Sequence, residues 1–162
     1  GKEYDQDKGE NLYRRSLYTF WKRSAPHPTL ATFDVPERSE CTVRRQKTNT
    51  PLQALVLLND PTYLECAKVI GASVTLQDDP GQGIRDAFVS LTGRYPSQKE
   101  LEILMQLREK QLTKFLETPS KVEGWISAGE YEIDQKLKFQ EVAANAVTIS
   151  TIMNADATIT KR

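Results

Sequence analysis

The chain has 162 residues, 38% of them hydrophobic, and its 22 basic residues balance 22 acidic ones. That length builds one domain or two small ones, and a mean hydropathy of −0.55 is ordinary for a globular protein with a core. Zero net charge excludes the whole-chain electrostatic footprint of a dedicated nucleic-acid binder. The longest nearly apolar run, Leu52 to Leu58, is too short to span a bilayer, and two cysteines with one histidine make neither a disulfide scaffold nor a zinc site.

Charge is unevenly spread. Residues 1–11 have two basic and four acidic residues and no apolar periodicity, and read as a flexible lead-in. Residues 12–48 carry eight basic against three acidic residues, whereas residues 49–162 carry twelve against fifteen. The basic front is aromatic and punctuated by proline. Leu17-Tyr18-Thr19-Phe20-Trp21 favours a short extended segment, and Pro26, Pro28 and Pro36 forbid a long regular element through 25–37. The apolar area of Tyr18, Phe20, Trp21 and Phe33 predicts that this front lies against helices.

From Thr50 onward the signals are helical. Thr50-Pro51-Leu52-Gln53 sets an N-cap hydroxyl before a proline at the first helical position, with Gln53 placed to close a capping box. Leu52, Leu55, Val56, Leu57 and Leu58 are apolar nearly all round, which predicts a short helix in the core. Asp60-Pro61 caps the next helix, whose Tyr63, Ala67, Ile70 and Val74 share one face. After a loop at Gln77 to Gly83, the residues Ile84, Ala87, Phe88 and Leu91 mark another helix, ended by Gly93. Ser97 and Glu100 form a second capping box, opening a helix with Leu101, Leu104, Met105, Leu112, Phe115 and Leu116 as its buried stripe. Val122, Trp125 and Ile126 suit an amphipathic turn or two over 120–128. A last helix over about 136–155 carries Phe139, Val142, Ala143, Ala146, Val147, Ile149, Ile152 and Met153, small and β-branched residues that predict close packing. The fold class is all-α: a compact helical domain of about five helices over residues 12–162, with an irregular, aromatic and Arg-rich N-terminal segment.

No residue pattern here is catalytic. His27, between two prolines, has no Cys or His at metal-ligand spacing and reads as an ordinary loop histidine. Cys41 reads as a buried structural thiol rather than a nucleophile activated by its arginine neighbours, and Cys66 as packing. Glu130, Glu132 and Asp134 lack the order of a calcium loop and read as solvated acids. The arginines are the candidate site. Arg14, Arg15, Arg38, Arg44 and Arg45 lie in the irregular front near four aromatics, and guanidinium groups bind carboxylate, sulfate or phosphate bidentately. Against this stands a structural role, in which they tie the loop to backbone carbonyls and to Asp34, Glu37 and Asp60.

Several long motifs carry a resemblance. Tyr13-Arg14-Arg15-Ser16-Leu17-Tyr18-Thr19-Phe20-Trp21-Lys22-Arg23, Cys41-Thr42-Val43-Arg44-Arg45, Thr48-Asn49-Thr50-Pro51-Leu52-Gln53-Ala54-Leu55 and Leu58-Asn59-Asp60-Pro61 resemble the planctomycete-type domain of unknown function 1553. Thr92-Gly93-Arg94 with Pro96, and Met153-Asn154 to Thr160-Lys161, resemble it too. The resemblance implies the C-terminal half of a larger family domain, in an exported, extracytoplasmic multidomain protein that often carries a c-type cytochrome domain. It implies no established reaction and no assigned catalytic residue. No haem-attachment motif, and hence no cofactor of its own, is expected in this chain.

Two readings follow. The first is a non-catalytic helical module of an exported bacterial protein, with its Arg and aromatic front packing against the remainder of the parent or binding an acidic partner such as a polysaccharide. The second is part of a redox or polysaccharide-related active site. There Arg14, Arg15, Arg38, Arg44 and Arg45 would join Asp34 and Asp60, and the other half of the domain would complete the site. Nucleic acid is disfavoured as a partner by the charge balance.

Overall fold

The computed structural model describes residues 7–22, 25–36, 40–44 and 46–159. It is all-helical, with no strand among the described residues. Two short 3₁₀ turns, Gly9–Tyr13 and Ser16–Tyr18, precede eight α-helices: α1 Pro28–Thr32, α2 Pro51–Asn59, α3 Pro61–Thr75, α4 Pro80–Thr92, α5 Gln98–Glu117, α6 Ser120–Ile126, α7 Phe139–Met153 and α8 Asp156–Ile159. The chain divides into two compact units, Gly1–Gln53 and Ala54–Arg162.

In the first unit the extended segment expected at Leu17 to Trp21 is instead a 3₁₀ turn at Ser16–Tyr18, with the Thr19 N–H bonded to the Ser16 carbonyl. The aromatic front is not folded away as its area predicts. Tyr18 and Phe20 are 67% and 72% exposed, Leu17 is exposed as well, and only Trp21 and Phe33 are half-buried. Pro28 starts α1, a helix short enough to fit between Pro26 and Pro36.

α2 opens as its residues dictate. The Gln53 N–H donates to Thr50 Oγ1 at 3.3 Å and the Thr50 N–H donates to Gln53 Oε1 at 3.0 Å, a closed capping box. The helix does not sit wholly in a core, however. Leu57 is buried, while Leu52, Leu55 and Leu58, three residues apart, stay more than half exposed. An apolar composition all round the helix does not show which side finds neighbours.

The second unit is built around α7. Its Val142, Ala143, Ala144, Ala146 and Ile149 are fully buried, and it packs against α3, α5, α6 and α4. The face of α3 contributes Ala67 and Val74 with Tyr63 and Ile70 against them. α4 adds Ile84, Ala87 and Phe88, and α5 adds Leu104 with Leu101 and Met105. Phe115 and Val122 close a second cluster with Ala143 and Ala144. Leu116, expected in the α5 stripe, is 62% exposed. The caps are those the sequence marks: Asp60 accepts from the Thr62 N–H, Asp79 from the Gly81 N–H, and Ser97 with Glu100 forms a reciprocal box.

Small residues allow the tightest approach. At Gly71 on α3, an added Cβ would stand 2.8 Å from the Ala146 nitrogen and 3.0 Å from the Val142 carbonyl oxygen. The two helix backbones are therefore in direct contact, which explains why α7 is small-sided here.

Candidate functional site

The arginines fall into two groups. Arg14, Arg15 and Arg44 are exposed, and Arg38 and Arg45 lie outside the described residues. Among the described residues, Asp34, Thr48 and Gln53 bond the loop of the arginine front together. Asp34, in the left-handed region at φ 57°, accepts the Thr48 N–H at 2.8 Å and the Thr48 hydroxyl. Gln53 is 1% exposed, and its Nε2 donates to the Thr32 carbonyl at 2.9 Å and to Thr48 Oγ1 at 3.0 Å. One glutamine thus caps α2, holds the end of α1 and orients the threonine that binds Asp34. Thr48, Thr50 and Gln53 all belong to the motif Thr48 to Leu55, whose polar residues act here as a knot in irregular backbone. The sequence shows the capping half of this arrangement; the bond to Thr32, twenty-one residues away, is visible only in the fold.

Asp60, the other acid of the part-enzyme reading, is the N-cap of α3. Both cysteines are free and exposed, so neither is the buried thiol expected from its residue type. Partial burial of its sulfur, and then the Glu65 carboxylate, push the Cys66 thiol pKa up, away from the reactive thiolate. His27 is half-buried at the N-cap of α1. No group of three His, Cys, Asp or Glu side chains that could hold a metal ion is found among the described residues.

A second polar centre, invisible to pattern reading, sits in the α3 body. Glu65 and Lys68, one turn apart, are 4% and 1% exposed. Lys68 Nζ donates to the carbonyls of Ile126, Ala128 and Tyr131 at 3.2, 2.6 and 2.6 Å, so all three ammonium protons have acceptors. Burial lowers the Lys68 pKa, and the Glu65 carboxylate opposes that shift. Glu65 accepts the Tyr131 N–H. Gly129, at φ 70°, lies so near that a Cβ would run into the Glu65 side chain. The pair grips the loop after α6 by its backbone. Beside it is an open, polar cleft of about 320 Å³, rimmed by Glu130, Tyr131 and Glu132. With all three N–H groups donated to carbonyls, Lys68 is held as the ammonium, which has no lone pair to act as a base or nucleophile. Its chemistry is positional.

A family model described as "Protein of unknown function (DUF1553)" matches residues 1–108. The chain belongs to this family. The matched residues of this DUF1553 chain take in the exposed front, the Asp34–Thr48–Gln53 knot, α3 with Glu65 and Lys68, and α4. The motif at Met153 to Lys161 lies beyond them. No curated protein and no solved structure matches the chain.

Proposed function

We propose that this DUF1553 chain is a non-catalytic helical module of an exported bacterial multidomain protein, whose arginine and aromatic front packs against an acidic partner. One observation carries the reading. Leu17, Tyr18 and Phe20 stay largely exposed on a segment that also presents Arg14 and Arg15 to solvent. Exposed aromatic side chains beside guanidinium groups are the composition that protein and ligand interfaces favour. Export is supported by the family resemblance, and the partner's acidity by the basic balance of residues 12–48. Such a partner is either the remainder of the parent polypeptide or an acidic polysaccharide.

The test is a thermal melt against sulfated, uronic and neutral polysaccharides, repeated for Arg14→Ala/Arg15→Ala and for Phe20→Ser. A ligand that binds only the folded chain raises the midpoint by mass action. The expected result is a rise with an acidic polysaccharide, lost in the arginine variant, reduced in Phe20→Ser and weakened by salt. No rise with any acidic glycan, together with no association with the separately expressed remainder of the parent, overturns the proposal.

A further inference from the structure

A buried guanidinium in the second unit has no carboxylate partner among the described residues. Arg108 on α5 is 8% exposed. Its Nε donates to Asn145 Oδ1 at 2.7 Å, and Asn145 is itself fixed. The Asn145 Nδ2 donates to Thr75 Oγ1 at 2.8 Å and to the Gly71 carbonyl at 3.3 Å, and the Thr75 hydroxyl donates to the same carbonyl at 2.9 Å. This relay from the end of α3 through α7 sets the plane of the guanidinium. The carboxylate one turn before Asn145, Glu141, bonds to Lys138 at 3.1 Å. No carboxylate pairs with Arg108 among the described residues.

Arginine cannot shed its proton to escape burial, and charged side chains are almost never buried unless paired. Neutral dipoles answer one of its five donors. Nη1 and Nη2 make no hydrogen bond among the described residues, and neither is sealed off from solvent. A rigid, partly desolvated fork with both outer nitrogens open is the geometry that receives a planar or tetrahedral oxyanion through two parallel hydrogen bonds.

We infer that Arg108, oriented by Asn145, is the anchor of a small-oxyanion site, for a carboxylate or phosphate group, in the helical body and separate from the exposed arginine front. The anion supplies the countercharge that the fold leaves out.

The experiment titrates the whole chain with inorganic phosphate and, separately, with acetate, at ionic strength held constant with chloride. The readouts are the melting midpoint and the ¹⁵N–¹H resonance of the Arg108 side-chain Nε. The midpoint of the unaltered protein is expected to rise by about 5 °C at a hundredfold excess over Kd. The Nε resonance is expected to move along a saturating curve. In Arg108→Gln, which keeps a donor for Asn145, the rise shrinks to the generic salting effect, while Arg85→Gln, at an exposed position of α4, retains it in full. A midpoint rise equal in Arg108→Gln and the unaltered chain overturns the site. So does an Nε resonance that drifts without saturating, which needs no variant to fold. Loss of the rise only in Arg14→Ala/Arg15→Ala assigns anion binding to the front and leaves Arg108 solvated by water.

Discussion

Gly71 and Ala146 hold α3 and α7 in backbone contact, with room for a hydrogen and no more. Gly71→Ala would otherwise stabilise a helix interior by about 1 kcal/mol. Here the methyl meets the Ala146 nitrogen and the Val142 carbonyl oxygen, which are main-chain atoms that cannot rotate away. The expected net result is a loss of about 2 kcal/mol, read as a lower urea midpoint with an unchanged slope. An alanine variant as stable as the unaltered chain would rule out this approach of the two helices.

Lys68 makes a different prediction, because its worth lies in what its removal leaves behind. Lys68→Met strips three carbonyls of their donor and takes a nearby positive charge away from the buried Glu65 carboxylate. The expected cost is about 3–5 kcal/mol. Adding Glu65→Leu removes the stranded charge, so the double variant should lose much less than the two single losses combined. Amide exchange at Tyr131 reads the same event locally: its protection should fall in either single variant while amides of α7 respond only to the global change. Strictly additive losses would mean that the two side chains hold the loop independently.

How much of this was legible beforehand follows from the range of each interaction. Caps are local, and Thr50 with Gln53, Asp60, Asp79 and Ser97 with Glu100 stand where short spacing puts them. The buried faces of α3 and α4 follow from periodicity because each has one wide apolar side, whereas α7 is buried nearly all round, as its small and β-branched residues imply. Leu52, Leu55 and Leu58 could not be placed this way, since α2 is apolar on every side and only neighbours distinguish them. Lys68 and Arg108 read as solvated charges in any pattern, and their burial comes from partners 58 and 37 residues away. The apolar area of Tyr18 and Phe20 sets how strongly they favour burial and does not say whether the fold supplies a surface to cover them.

Gln53 offers an isosteric test of the knot at the motif Thr48 to Leu55. Gln53→Glu keeps an oxygen for the Thr50 N–H, so the capping box survives. It removes the donor to the Thr32 carbonyl and to Thr48 Oγ1, and it turns a carboxylate toward Asp34 Oδ2, 3.5 Å from the present amide nitrogen. The loss should be about 2–4 kcal/mol, from an unsatisfied carbonyl and two adjacent carboxylates. Limited proteolysis between residues 32 and 48 should accelerate, and acidification should partly restore protection as one carboxyl takes up a proton. Protease resistance equal to that of the unaltered chain would mean that Gln53 contributes only its cap.

Glu100 gives the acid leg of stability a named origin. Hydrogen bonds from the Arg94 guanidinium, at 2.6 and 3.0 Å, and then from the backbone and hydroxyl of Ser97, hold its carboxyl down to about 2 from the usual 4.5. Arg94 also lies over the Phe88 ring at 4.9 Å and donates to the Tyr95 carbonyl, so the group ties the α4–α5 turn to the body. With its folded-state pKa below the unfolded one, Glu100 contributes stability that is whole above pH 4.5 and lost as pH falls toward about 2. Both partners are well exposed, so solvent screening keeps the effect small, about 1–3 °C in the melting midpoint. Arg94→Gln should therefore melt lower than the unaltered chain at pH 6, and the gap should narrow steadily between pH 4.5 and 2. High salt should narrow it at pH 6 as well. A gap that stays constant from pH 6 to pH 2 would place the contribution of Arg94 in its contact with Phe88 rather than in its bonds to Glu100.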